Sequence, residues 1–369
     1  MKKLTLLALL TLFLSCGNHK EDKSLVNVSV NLDTAQDVTI GDIVWLETSD
    51  SAMIYDISNL FPMEDEYVIQ SRSFIKIFDT DGNYQGEMAV KGQGPGEFNW
   101  IGNVWADDTV FYLADGGHSA KKILQYDKNG TFLGESPLFK SNEEEQEAWT
   151  PDTYFNPTEI YVTPNEGIYY VNGFLGGAET GPYAMAYTAD KDTEPHLIHG
   201  LRRTDGNSFY NRVTIVPSSN EAIYWEHFKD TVYLCSPDTI RPWIALDYGK
   251  YTMPEEVSSL SDSFHRARKL EELEDKNDES NYAAPNRYFQ FADGNLYYMT
   301  AMGDNIYIVN LKPDNYSTTV NRITIPEGST IKPQLFFKII GDEVLVSVID
   351  EGNPDRNGGI AKLKLSDLK

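Results

Sequence analysis

FIKIFDTDGNYQGEMAVKGQGPGEF, residues 74–98, decides how this chain folds. Phe74, Ile75, Ile77 and Phe78 form a strand-period run. Asp81-Gly82-Asn83 follows, and Asp-Gly supplies the positive φ angles of a tight hairpin turn before Tyr84 leads the chain away. The second half, with Gly92, Gly94, Pro95 and Gly96, sustains neither a helix nor a regular ladder. A hairpin followed by a glycine-paved crossing, closed by Glu97 and Phe98, predicts an inter-blade turn: the seam between two repeated units.

The hairpin recurs. Ile123-Leu124-Gln125-Tyr126-Asp127-Lys128-Asn129-Gly130-Thr131-Phe132 parallels residues 75–84 position by position, sharing an apolar run, an aromatic residue and Asp-x-x-Gly. Working outward, units of three or four short strands follow at the spacing of propeller blades. They run from about Tyr55 to Val90, Phe98 to Leu138, Asp152 to Leu201, Phe209 to Tyr248, Tyr288 to Ile325 and Leu335 to Leu365. The last unit holds only three clear strands. Ile43-Val44-Trp45-Leu46, near the N-terminus, can fill the vacancy and close the ring, which pairs edges that would otherwise aggregate. Val26 to Val30 is also strand-like. One stretch breaks the rhythm: Leu260, Phe264, Ala267 and Leu270 fall at helical spacing, predicting a helical insertion at about 254–280. The expected fold is all-β, a six-bladed β-propeller with an N-terminal strand completing its last blade.

Composition narrows the partners. The chain of 369 residues carries a net charge of −25, from 31 basic and 56 acidic side chains. Such a field repels phosphate backbones, so no nucleic-acid partner is expected. Aromatic loading (22 Tyr, 17 Phe and 6 Trp) suits wide cross-strand pairs. The two cysteines, Cys16 and Cys235, cannot build a disulfide framework, and Cys235 reads as a small buried hydrophobe.

Lys2, Lys3 and the apolar run from Leu4 to Leu14 read as an export signal too short to span a bilayer. Phe13-Leu14-Ser15-Cys16 resembles the bacterial lipobox, which implies lipidation at Cys16; the alternative is a plain secretory signal with an incidental cysteine. Lys20-Glu21-Asp22-Lys23 resembles the acidic export signal of surface lipoproteins in Bacteroidales-type bacteria, with an ordinary charged tether as its alternative. The expected division is a signal peptide over 1–15, a lipidated tether over 16–25 and one propeller over 26–369, touching the membrane through a lipid anchor only.

Four segments carry a wider resemblance: Phe78-Asp79-x-x-Gly82, Lys91 through Phe98, Asp230-Thr231-Val232-Tyr233, and Leu246 through Tyr251 with Pro254. With the lipobox, the chain resembles the six-bladed β-propeller lipoproteins of Bacteroidales-type bacteria, which are related in fold to NHL-repeat propellers. The resemblance implies an outer-membrane lipoprotein facing the cell exterior, with no assigned chemistry.

Candidate chemistry is sparse. The Gly-Gln-Gly-Pro-Gly-Glu loop lacks a following Lys-Ser/Thr, and Pro95 removes an amide that a phosphate cradle would need. His196 and His199 would face opposite sides of a strand, which disfavours joint metal ligation. Asp115-Gly116-Gly117-His118-Ser119 reads as a turn, since triad partners converge from distant segments. Glu226 and His227 read either as an acid–base pair or as a surface pair on a loop. No cofactor is expected; Asp107, Asp108, Asp190 and Asp192 leave calcium as the one candidate cation. Trp100, Trp105, Tyr210 and Trp225, with Glu226 and His227, are the candidate ligand-binding residues, because flat rings stack on the apolar faces of sugars. These observations predict a non-enzymatic binding module for a glycan or an envelope protein. The rival is a metal-dependent hydrolase or lyase with its site in the central channel.

Overall fold

The structure is a computed structural model. It describes residues 25–368 apart from 55, 64, 72–73, 107–108, 116–121, 138–156, 173–183, 191–194, 199–211, 218, 227, 261–262, 278–281 and 284–285. Cys16, Tyr210, His227, His199, Asp107, Asp108, Asp192 and the Gly116–Ser119 turn therefore lie outside the described residues.

Six small sheets form the six blades of a propeller. The N-terminal segment contributes β1 (Val26–Ser29), β2 (Gln36–Thr39) and β3 (Ile43–Trp45). Blade 1 holds β4 (Asn59–Pro62), β5 (Glu66–Gln70), β6 (Ile75–Asp79), β7 (Tyr84–Lys91) and β8 (Glu97–Phe98). Blade 2 holds β9 (Ile101–Ala106), β10 (Val110–Asp115), β11 (Lys122–Asp127) and β12 (Phe132–Pro137). Blade 3 holds β13 (Pro157–Val162), β14 (Ile168–Asn172), β15 (Met185–Thr188) and β16 (His196–Leu197). Blade 4 follows with β17 (Arg212–Ile215), β18 (Ala222–Trp225), β19 (Thr231–Cys235) and β20 (Ile240–Asp247). Blade 5 has β21 (Arg287–Ala292), β22 (Asn295–Met302), β23 (Asn305–Leu311) and β24 (Thr318–Thr324). Blade 6 has β25 (Ile331–Ile340), β26 (Glu343–Asp350) and β27 (Gly359–Lys364).

The first strand of each blade touches the first strand of the next, and β25 returns to β4, so the ring is closed around an axis. Six buried clusters fill the seams between neighbouring blades. Between blades 4 and 5, for example, Ile223, Trp225 and Ile244 meet Leu296, Tyr298 and Val309. Each fully buried side chain of this kind contributes roughly 1.5–3 kcal/mol.

The repeated hairpin takes the same place in blades 1 and 2, between third and fourth strands. Asp79 Oδ1 accepts from the amides of Asp81 (3.0 Å) and Asn83 (2.8 Å). Asp127 Oδ1 accepts from those of Asn129 (2.9 Å) and Thr131 (2.8 Å). The shared aspartate is thus a turn holder, while Phe78 and Tyr126 bury their rings in the seams.

β3 closes blade 6, pairing Val44 with Ile360 in antiparallel register. The preceding strands were not placed by the sequence: β1 lies parallel on β20, and β2 parallel on β24, each as a fifth strand. The N-terminal segment therefore runs as a belt along the outer edges of blades 4, 5 and 6. A two-pronged Asp37–Arg322 contact (2.6 and 2.8 Å) pins it to blade 5. The insertion after blade 4 is helical, with α1 (Glu255–Ser258) and α2 (Ser263–Asn277) seated on Met253, Val257 and Leu270.

Candidate functional site: the axial channel

A propeller's innermost strands face one another across its axis, so every blade contributes to whatever lies there. Here the space is a cavity of about 970 Å³, lined from all six first strands. That is the size of a small-molecule or oligosaccharide pocket.

Its wall is aromatic. Trp105 and Tyr112 sit opposite each other on β9 and β10, with rings stacked 9° from parallel and centroids 5.2 Å apart. Tyr288 packs edge-on against Phe336 at 5.1 Å, and Trp225 meets Phe289 at 4.4 Å. All six rings reach the cavity. Tyr288 does so at a cost. Its φ is +56°, at a register shift between Arg287 and Gln290. A bulge re-aims one side chain relative to the strand's alternation, and a non-glycine residue holds that conformation only when its surroundings enforce it.

Several polar groups on the wall are already used by the fold. The Asn103 carboxamide donates to Ile160 O and accepts from Ile160 N, tying blade 2 to blade 3. Gln290 does the same to Ile339 (2.7 and 2.9 Å), tying blade 5 to blade 6. The Thr214 hydroxyl donates to Phe289 O (2.5 Å), tying blade 4 to blade 5. These bonds hold the inner strands at fixed separation and shape the channel without facing a ligand.

Among the described lining residues the charged side chains are Glu166 and Lys338. The Lys338 ammonium lies 5.6 Å from the Phe61 ring. Burial alone lowers its pKa from the ordinary lysine value, with no neighbouring carboxylate drawing it back. The surface Lys338 exposes is turned to the cavity, which reconciles partial exposure with enclosure of its charge.

The candidate residues separate. Trp105 and Trp225 line the channel, although Trp225 is mostly packed in the seam between blades 4 and 5. Trp100 is 61% exposed and away from the lining, its amide held by Asp115 at 3.0 Å. Glu226 is corrected from a loop-surface residue: it is buried and neutralised by the Lys229 ammonium three residues on. Outside the channel, enclosure pushes the Asp230 carboxyl up to about 7, against an opposing hydrogen bond from Asn286. Cys235 is fully buried, with Sγ 3.8 Å from Met185 Sδ, and burial pushes its thiol pKa up.

The crossing over 92–98 carries the chain from the outer edge of blade 1 to β9. Glu97 Oε2 accepts from the Gly94 amide at 2.8 Å. A Cβ on Gly92 would fall 1.9 Å from that same oxygen. Gly96 adopts φ +74° and packs on Phe132, and its carbonyl accepts from the Tyr126 hydroxyl at 2.9 Å. Pro95 is exposed on the loop, whereas Phe98 is buried in the core between blades 1 and 2.

The six sheets define a six-bladed β-propeller with a cavity on its axis. Residues 31–272 match the family described as Domain of unknown function (DUF4934), and the chain belongs to that family. No curated protein matches it. Among solved structures, a candidate exported protein from Bacteroides fragilis is similar, with a TM-score of 0.62 at 14% identity over 92% of this chain and 99% of that one. A member of the duf4221 family from Bacteroides vulgatus gives a TM-score of 0.54 at 12% identity, covering 88% of this chain and 96% of the other. At these identities the likeness concerns the fold.

Proposed function

We propose that the protein is a non-enzymatic binding module of the cell envelope that receives a glycan in its axial channel. The observation that carries this reading is the near-parallel Trp105–Tyr112 pair on the wall of a cavity of about 970 Å³. Flat aromatic surface suits the apolar ring faces of a sugar, and Gln70 and Gln125 add polar side chains to the wall for its edges. The strained Tyr288 backbone supports a ligand role as well, since the fold maintains an unfavourable conformation to present that ring.

Placement at the cell surface, through a lipid on Cys16, rests on the lipobox-like sequence and accords with the exported-protein candidate among the similar folds. A metal-dependent hydrolase or lyase in the channel is the rival reading, and Asp107, Asp108, Asp192, His199 and His227, which bear on it, lie outside the described residues. Among the described residues no three His, Cys, Asp or Glu side chains gather where they could hold a metal ion.

Titration calorimetry of the full chain against neutral and acidic oligosaccharides tests the reading. Binding should appear in one class at least and weaken about tenfold in Trp105→Ala, the loss of one stacking platform. Silence across the panel overturns it. An envelope protein as the true partner would use exposed loops instead, and would bind equally well after Trp105→Ala.

A further inference from the structure

Of the two charged side chains on the described channel lining, Glu166 is exposed and Lys338 is the one whose charge burial disfavours. Among the described residues, Lys76 is buried and held by the fold, whereas Lys338 is half-buried on the channel wall. Lys76 donates to Ser51 O at 2.6 Å and Met53 O at 2.9 Å, with Glu87 3.9 Å away. Lys338 has no acceptor and no carboxylate among the described residues; its one recorded neighbour is the Phe61 ring, and its remaining face is the cavity. An enclosed ammonium without a counter-charge is costly, and a chain with 56 acidic residues has placed none of its described carboxylates beside this one.

We propose that Lys338 receives an anionic substituent of the channel ligand, so that the glycan taken is an acidic one carrying a uronate carboxylate or a sulfate. The inference rests on reading the channel as a saccharide site. Three features favour it. The ammonium sits against the channel wall, where partial burial makes a single opposite charge count for more than on the open surface. The Phe61 face supports the cation from one side, and a ligand anion would complete its coordination from the other. Neighbouring Gln290 bonds Ile339 through both amide atoms, and no hydrogen bond joins its carboxamide to Lys338. The net charge of −25 outside does not cancel this, because surface charges are screened within about a Debye length.

The test compares an oligogalacturonate, a sulfated galacto-oligosaccharide and the neutral galacto-oligosaccharide of equal length, titrated into the full chain as wild type, Lys338→Met and Lys338→Arg. One acidic probe should bind ten- to a hundredfold more tightly than the neutral one, the range of a charge-assisted hydrogen bond. Which acidic probe prevails separates carboxylate from sulfate. Lys338→Met should abolish the preference for the acidic probe, and Lys338→Arg should retain it. The preference should also decline as pH rises through the lowered pKa of Lys338. Equal binding of acidic and neutral probes by the wild type, with both weakened by Trp105→Ala, would overturn the Lys338 assignment and leave the glycan channel standing. Failure of all three probes would sink both. A cooperative melt of Lys338→Met, where Met fills a similar volume, confirms that any loss is not unfolding.

Discussion

The closure seam and the axial channel treat polar groups in opposite ways. At the seam, where β3 completes blade 6, almost every buried donor and acceptor is matched. Asn357 accepts from the Ile54 amide and donates to the carbonyls of Glu47 and Ala52, each at 3.0 Å. Lys76 is held by two carbonyls of the same segment. In the channel, rings remain uncovered, one residue is strained and one ammonium is left over. The difference teaches where to look for function: groups consumed by the fold explain the fold, and groups the fold leaves unmatched point to a ligand.

The harshest way to break the comparison is to unmatch the seam. Asn357→Ala strands the Ile54 and Gly358 amides and two carbonyls in a buried joint, at about 1–3 kcal/mol each with partial relief from water. A net loss of about 3–5 kcal/mol is expected, seen as a lower urea midpoint with little change in slope. A loss below about 1 kcal/mol would mean that the ring does not depend on this joint. Gly96→Ala comes next. The new Cβ would lie 2.8 Å from Phe132 Cγ on a backbone at φ +74°, and left-handed strain plus overlap predicts a loss of about 2–3 kcal/mol. Both variants should leave the channel's ligand preference unchanged once folded.

These two regions also differ in how much of them a sequence can disclose. The hairpins at Asp79 and Asp127 were legible because a turn is local: Asp-x-x-Gly fixes it within four residues. The closing strand at Ile43–Trp45 was legible by vacancy, since the last unit lacked a strand. Neither β1 nor β2 could be placed, because parallel pairing on an outer edge leaves no turn between the partners to announce it. In the channel, Trp105 and Trp225 were legible as large aromatics near strand ends. Tyr288 was not, because a bulge reverses the alternation that assigns a side chain to a face. Nor was Lys338: a lysine within strand β25 reads as solvent-facing, and only ring closure turns that solvent into an enclosed cavity.

The finest test applies one substitution to both regions and expects opposite signs. Lys76→Met deletes two hydrogen bonds to Ser51 and Met53 carbonyls and should cost about 2–3 kcal/mol. Lys338→Met deletes an enclosed charge with no recorded acceptor and should raise the thermal midpoint by about 1–3 °C in the unliganded protein. The pH dependence separates the causes. Burial lowers the Lys338 pKa from 10.5 in the folded state. Between that lowered value and 10.5 the unfolded chain binds the extra proton, so the Lys338 contribution to stability rises with pH through this window and levels off above it. Lys338→Met should remove this contribution, seen as the difference between the wild-type and variant pH profiles, while Lys76, whose pKa burial also lowers and Glu87 draws back, contributes equally to both. Equal destabilisation by both substitutions would mean that Lys338 has a hidden partner in the fold, and the contrast between seam and channel would fail at its sharpest point.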